Sequence, residues 1–323
     1  MTVTASLIME QKPEYVIETN GLTKSFKGIP VVKNVNLRVP KNSIFGFLGP
    51  NGAGKSTTMK CILGLLRPSL GTINLFGKDS QEHDFRHRIG YLSQQPKYYT
   101  HLTAREILSV RAKFFFKSPK DMIQERIGET LELVGLEDRA DRPIKGFSGG
   151  EKQRLGIAVA QINYPDLLVL DEPAAALDPM GRYDVLKIMD RLRKYTTIFY
   201  STHILDDVQR VSDSVAILNK GELVVQAPID ELLGKTKNCI LEIIVQGNTL
   251  SFQQEIQKFP WVLSVTSERK SGSEIIQIQT SNEELAERHL IPILLSNRSL
   301  KIKNFGFKEQ NLEEVFLSLM EVA

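Results

Sequence analysis

Apolar residues along this chain fall in two rhythms, short continuous or alternating runs and longer stretches with spacings of three and four, which predicts strands interleaved with helices. Residues 15–18 and the alternating Val35, Leu37 and Val39 read as strands joined through a polar stretch that holds Lys24, Phe26 and Gly28. Residues 44–48 form another apolar strand. A helical pattern over 58–66 follows and stops at Arg67-Pro68. Residues 72–76 and 88–93 read as short strands.

The rhythm then turns helical. Thr103 to Glu106 and Ser148 to Glu151 have capping-box form, opening helices to about 116 and about 162; Ser118-Pro119 starts another that runs to about 134. Residues of about 97–163 thus read as a helical insert. Beyond it, 167–170 is a buried-type strand, Asp178-Pro179 caps a helix to about 194, 197–201 is a strand, and 204–211 a helix. Residues 214–219 and 222–226, flanking Lys220-Gly221, read as an edge hairpin. This alternation predicts an α/β fold with a mostly parallel sheet covered on both faces. Past Leu233-Gly234-Lys235 the order becomes βαββαβ, the ferredoxin-like α+β arrangement. The expected domains are a flexible extension over 1–13, a main domain over 14–234 and an accessory domain over 235–323.

Composition narrows the partners. With 323 residues, 41% hydrophobic and 24% charged, the chain has an ample core. A net charge of +3 with no long basic run gives no reason to expect nucleic acid. Cys61 and Cys239 stand far apart, which offers neither a disulfide framework nor a zinc site and suits a reducing cytosol. No signal-peptide pattern and no apolar run of about 20 residues is present, so a membrane role requires another chain to supply the channel.

The chemistry concentrates in Gly49-Pro50-Asn51-Gly52-Ala53-Gly54-Lys55-Ser56-Thr57, which fits G-x-x-x-x-G-K-[ST] between a strand and a helix. Its glycines let successive N–H groups point inward, and with the positive end of the helix they cradle a polyphosphate. Lys55 would reach the β- and γ-phosphates, and the Ser56 hydroxyl would take a position on Mg²⁺. A glycine-rich turn that merely precedes a helix is the plainer alternative. Asp171 and Glu172 stand where the strand 167–170 emerges, the edge at which parallel sheets bind ligands. Buried carboxylates are costly without a cation, so Asp171 reads as holding Mg²⁺ through water and Glu172 as the base that orients the attacking water. An acid pair before Pro173 at a helix start is the structural alternative.

These motifs together resemble a nucleotide-binding subunit of an ATP-binding cassette (ABC) transporter over about residues 14–230. The resemblance implies a P-loop NTPase cassette, a mixed sheet with a helical subdomain, that binds and hydrolyses ATP with Mg²⁺. Phe26 would stack on adenine, where the family more often has tyrosine. Gln94 would contact Mg²⁺ and the attacking water and connect to the membrane partner. Phe147-Ser148-Gly149-Gly150-Glu151 resembles the signature LSGGQ, whose serine and glycine amides bind the γ-phosphate held by the opposite subunit. Glu151 replaces its glutamine and brings a negative charge near that helix end. Ala176-Leu177-Asp178 matches the loop that crosses between subunits, with Ala174 where threonine is frequent, and Ser201-Thr202-His203 matches the switch histidine on the γ-phosphate.

Two cassettes, a homodimer or a heterodimer, would close head to tail on two ATP molecules. The segments 147–158 and 311–317 are similar to cassettes of drug, bacteriocin and peptide-antibiotic exporters of the ABC-2 type. The implied role is to power a separate multi-spanning permease from the cytoplasmic face of the membrane. A soluble ABC ATPase acting on ribosomes or DNA would usually carry two cassettes or long coiled-coil insertions. Against a nucleotide-sensing module stand the intact Lys55, Asp171, Glu172 and His203.

Overall fold

The computed structural model describes residues 15–81, 84–117, 119–233, 239–270, 272–297, 300–308 and 312–322. The expected extension over 1–13, Ser118, the linker residues Gly234 and Lys235, and Asn311 of the tail lie outside them. The chain opens with β1 (Tyr15–Phe26), β2 (Ile29–Val35), β3 (Arg38–Pro40) and β4 (Ile44–Leu48), which leads to α1 (Lys55–Ile62). Three short strands follow, β5 (Leu70–Leu75), β6 (Lys78–Asp79) and β7 (Ile89–Leu92). Then come α2 (Ala104–Phe115), α3 (Lys120–Val134) and α4 (Gly149–Gln161), packed on one another. The cassette-like part closes with β8 (Leu167–Asp171), α5 (Pro179–Leu192), β9 (Thr197–Thr202), α6 (Leu205–Val211), β10 (Ser214–Asn219) and β11 (Glu222–Pro228).

Contacts divide the chain after Ala227 into two compact units. In the first, a six-stranded sheet runs β11-β10-β4-β9-β8-β7, with β10, β4, β9, β8 and β7 mutually parallel. Strands β4, β8 and β9 are buried along their whole length. Their continuous apolar runs are what a sheet covered on both faces requires. Lys220 and Gly221, both at positive φ, turn β10 into the edge strand β11. Strands β1, β2, β3, β5 and β6 do not join this sheet. They build a separate antiparallel one, β2-β1-β5-β6 with β3 beside β1, and a shared core including Ile17, Leu37, Phe45, Phe47, Met59 and Phe199 lies between.

Two local expectations are corrected. Residues 15–26 form one strand, not a strand and a polar connection, and β2 ends at Val35 so that Val39 falls in β3. Register shifts after Asn20 and Leu22 break the alternation, and Thr23, Lys24 and Ser25 are all half-buried, so the period-two signal fades while the ladder continues. The helix after the glycine-rich loop begins at Lys55 rather than Thr58 and ends at Ile62, well before Pro68. Gly64, at φ 69°, turns the chain there, and Leu65 and Leu66 N–H groups donate back to the Lys60 carbonyl.

The second unit contains α7 (Ile229–Leu232), β12 (Cys239–Gln246), α8 (Leu250–Ile256), β13 (Val262–Lys270), β14 (Ser273–Thr280), α9 (Glu283–Ser296), β15 (Lys301–Lys308) and α10 (Leu312–Val322). Its antiparallel sheet has the order β13-β14-β12-β15, which with the βαββαβ succession is the ferredoxin-like arrangement. Leu241, Ile243, Phe252, Ile276, Ile278 and Leu290 belong to its core. Phe252→Ala is therefore expected to cost the second unit about 3–5 kcal/mol. Thermal unfolding followed by protease protection of residues 239–308 should show this loss while ATP binding by the first unit persists.

Candidate functional site: a phosphate loop facing two carboxylates

Strand β4 lies between β10 and β9, and the chain leaves its C-terminal end as the loop 49–54. Two glycines there answer to geometry. A Cβ on Gly49 would stand 2.3 Å from the Leu218 carbonyl oxygen, and Gly54 caps α1 with φ 105°. The loop is pinned by Gly49 N–H donating to Thr202 O at 3.3 Å and Gly221 N–H to Ala53 O at 3.0 Å. Pro50, Asn51 and Gly52 stay exposed, Ala53, Gly54 and Lys55 are buried, and Ser56 and Thr57 are half-buried at the first turn of α1.

Lys55 turns inward. Its side chain is 5% exposed, and Nζ donates to the carbonyls of Gly49 at 2.7 Å and Pro50 at 3.2 Å. Burial pushes its pKa below the usual lysine value, opposed chiefly by the Glu172 carboxylate, 3.6 Å away, and more weakly by Asp171.

Asp171 ends β8, and the parallel register sets it opposite Ser201 on β9. The Ser201 hydroxyl donates to Asp171 Oδ1 at 2.7 Å and accepts the Glu172 N–H at 2.9 Å, so one side chain holds both acids. Ser56 Oγ donates to the same Oδ1 at 3.0 Å, joining α1 to β8. Glu172 takes a left-handed backbone, φ 49°, which costs a non-glycine residue on the order of 1 kcal/mol and occurs where the surroundings dictate it. Its carboxylate meets Gln94 Nε2 at 3.1 Å and His203 Nδ1 at 3.6 Å as well as Lys55. Lys55, Ser56, Gln94, Asp171, Glu172 and His203, far apart in the chain, thus form one connected group.

Ser148 and Glu151 form the expected capping box: Ser148 Oγ accepts the Glu151 N–H at 3.2 Å, and Glu151 Oε2 accepts the Ser148 N–H at 2.7 Å. That backbone bond is the largest cause holding the Glu151 carboxyl below its usual pKa, with Arg139, 3.4 Å away, and Arg154 adding to it. The charge added by Glu151 is therefore turned back onto its own helix and balanced by arginine. Asp178 caps α5 by accepting the Gly181 N–H at 3.1 Å. A Cβ on Gly149 or Gly150 would touch Leu177 or Gly181 at 3.8 Å, so Ser148–Glu151 and Asp178 form a second cluster. No hydrogen bond or ion pair among the described residues joins it to the first. Phe26 ends β1, exposed, with Lys24 Nζ 5.1 Å from its ring centre.

Two buried polar residues were not singled out by sequence. Ser201 was seen only as a neighbour of His203, and nothing in local spacing shows that β9 lies beside β8. Asp207, fully buried on α6, is bonded to Arg182 of α5, and burial raises its pKa against that arginine's pull. Its second oxygen has no partner among the described residues.

Residues 32–175 match the family described as ABC transporter. Over 94% of its length, and 99% of the relative, the chain is 37% identical to the uncharacterized ABC transporter ATP-binding protein YxlF of Bacillus subtilis (strain 168). The chain belongs to the ABC transporter ATP-binding proteins. It is also 33% identical to the daunorubicin/doxorubicin resistance ATP-binding protein DrrA of Streptomyces peucetius, over 96% of this chain and 94% of that one. Among solved structures, the dimeric post-hydrolysis state of the ATP-binding cassette MJ0796 bound to ADP and Pi superposes with a TM-score of 0.61 at 26% identity, covering 66% of this chain and 98% of that one. This ABC subunit is an ATP-binding ATPase with the cassette fold. No helix among its described residues is long and apolar enough to cross a membrane.

Ser201→Ala in this ABC subunit would leave the buried Glu172 N–H unpaired and remove a donor from Asp171. A stability loss of about 1–3 kcal/mol is expected, with slower ATP turnover in the folded fraction. Thermal denaturation together with steady-state phosphate release measures both; an unchanged midpoint would show that the Ser201 hydroxyl does not tie the two acids.

Proposed function

We propose that this subunit works as a pair of copies that closes on ATP and drives a separate membrane-spanning permease, from the cytoplasmic face, in the export of a drug, peptide or similar amphiphilic cargo. The carrying observation is the separation of the two clusters. One copy holds the phosphate loop with its carboxylates, and its Ser148–Glu151 helix end has no bond to them. A second copy that presents this helix end to the bound γ-phosphate completes the site, and a two-fold pair does so twice with one gene product. The N-terminal N–H groups of α4, with Ser148 as their cap, are suited to an anion. The dimeric state of the ATP-binding cassette MJ0796 and the drug-resistance relative support this reading.

The residues take the following parts. The loop amides of 49–54 and Lys55 bind the phosphates of ATP, whose oxygens can replace the carbonyls and carboxylate that Lys55 now contacts. Phe26 offers its exposed face to adenine. Ser56, Asp171 and Gln94 would offer oxygen atoms to Mg²⁺, Asp171 through water. Such a cation supplies charge neutralisation at the transferring phosphoryl group. Glu172 orients the attacking water and accepts its proton, Gln94 and His203 hold that carboxylate and the γ-phosphate in line, and Asp178 lies at the junction between copies.

The permease docks beside Gln94. Tyr99, 72% exposed, and His101 next to it present the contact. Tyr98 of the same segment turns inward, its hydroxyl 3.1 Å from the position of a Cβ on Gly156. Crosslinks from Tyr99→Cys should reach a multi-spanning protein in native membranes; crosslinks to that protein found only from the second unit would move the docking surface there.

Glu172→Gln keeps the side chain's shape and removes the base. It should lower steady-state hydrolysis by about 100-fold or more while preserving ATP binding, and should accumulate an ATP-dependent dimer. Mass in solution and phosphate release distinguish the outcomes: full turnover would remove Glu172 from the base role, and an ATP-loaded monomer would remove the paired site.

A further inference from the structure

Helix α2 buries Ala104, Leu108 and Ala112, one stripe at spacings of four, and this settles which residues lie on its opposite side. There Val110 and Phe114, one turn apart, are 52% and 78% exposed. Around them the sequence is basic without relief. Between Glu106 and Asp121 it has Arg111, Lys113, Lys117 and Lys120 and no acid. All four cations are exposed. Glu106, at the far end of the helix, is occupied by its capping box with Thr103. The arginine–carboxylate pair that α2 makes among the described residues, Arg105–Asp141, also lies at that end. Phe115, half-buried, has the Arg111 guanidinium 5.5 Å from its ring centre.

We propose that the C-terminal half of α2, with the segment that follows it, is a contact surface for an anionic lipid membrane, Phe114 and Val110 entering the headgroup boundary while Lys113, Lys117, Lys120 and Arg111 meet the lipid phosphates. An amphipathic helix that combines a large exposed aromatic with a cluster of exposed cations has the two attractions that interfacial binding needs. The side-chain chemistry favours lipid over a protein face. Three of the four cations are lysines, whose flexible, hydrated ammonium groups suit a diffuse anionic surface better than fixed bidentate pairing. Their alkyl stems can also lie along the apolar boundary while the charged ends remain wet. The contact concerns the cassette itself and needs no permease. It would set the height of the subunit on the bilayer, while the permease contact at Tyr99 sets its register.

Full-length protein floated with vesicles of phosphatidylcholine alone, and of phosphatidylcholine with phosphatidylglycerol, tests this without any permease present. Binding is expected only to the anionic vesicles and should weaken as salt rises. At about 1 kcal/mol per basic residue, the double charge reversal K113E/K117E should lower the partition by about 25-fold or more. Phe114→Ser should lower it several-fold. Both variants change exposed residues and should keep ATP binding, which serves as the folding control. Absent binding, equal binding to both vesicle types, or binding that neither variant changes would overturn the proposal. So would crosslinks from Phe114→Cys in native membranes that reach polypeptide and never lipid.

Discussion

Asp171 ends a strand that is buried along its whole length and Glu172 follows it, and a pair of adjacent carboxylates at such a place is unstable unless donors and cations come to it. That need organises the first unit. Ser201 must lie beside Asp171, which requires β9 parallel to β8 and in register; Lys55 and Ser56 must open the next helix over, which requires β4 beside β9. Gln94 arrives from the end of β7 on the other flank of β8, and His203 from the end of β9. The parallel sheet therefore delivers its strand ends to one edge, where the phosphate loop and the acids satisfy one another.

The same contacts suit a site that exchanges protein ligands for nucleotide. Lys55 is held by two loop carbonyls and a carboxylate, all oxygen atoms, and burial already lowers its preference for the charged form against the pull of Glu172. Phosphate oxygens offer equivalent partners with more charge. The left-handed backbone at Glu172 and the bond from its N–H to Ser201 hold that residue in place, so its position rests on sheet register.

The second cluster has a different logic. A helix end can present its N–H groups to a phosphate only if its own cap does not consume them all, and the Ser148–Glu151 box uses two while neighbouring amides remain at the terminus. Arg139 and Arg154 balance Glu151, so the substitution of an acid for the family's glutamine need not repel an anion. The arginine–aspartate pair between α5 and α6 joins the helix capped by Asp178 to the one that follows His203, giving the two a common rigid support.

Much of this was legible in the sequence because the physics is local. The glycine-rich loop, the capping boxes at Thr103 and Ser148, the Asp178 cap and the buried strands expected over 44–48 and 167–170 depend on residues a few positions apart, and each stands where spacing predicted it, the second strand running one residue further to Asp171. The βαββαβ order of the second unit was visible for the same reason. What spacing could not carry was anything that depends on which strand lies beside which. The antiparallel sheet around β1 hid behind shifted registers, and the part played by Ser201 came only from β9 lying next to β8. The burial of Asp207 against Arg182 likewise followed from helix packing. A hydrogen bond reports distance in space, whereas sequence reports distance along the chain, and between strands of a parallel sheet the two are unrelated.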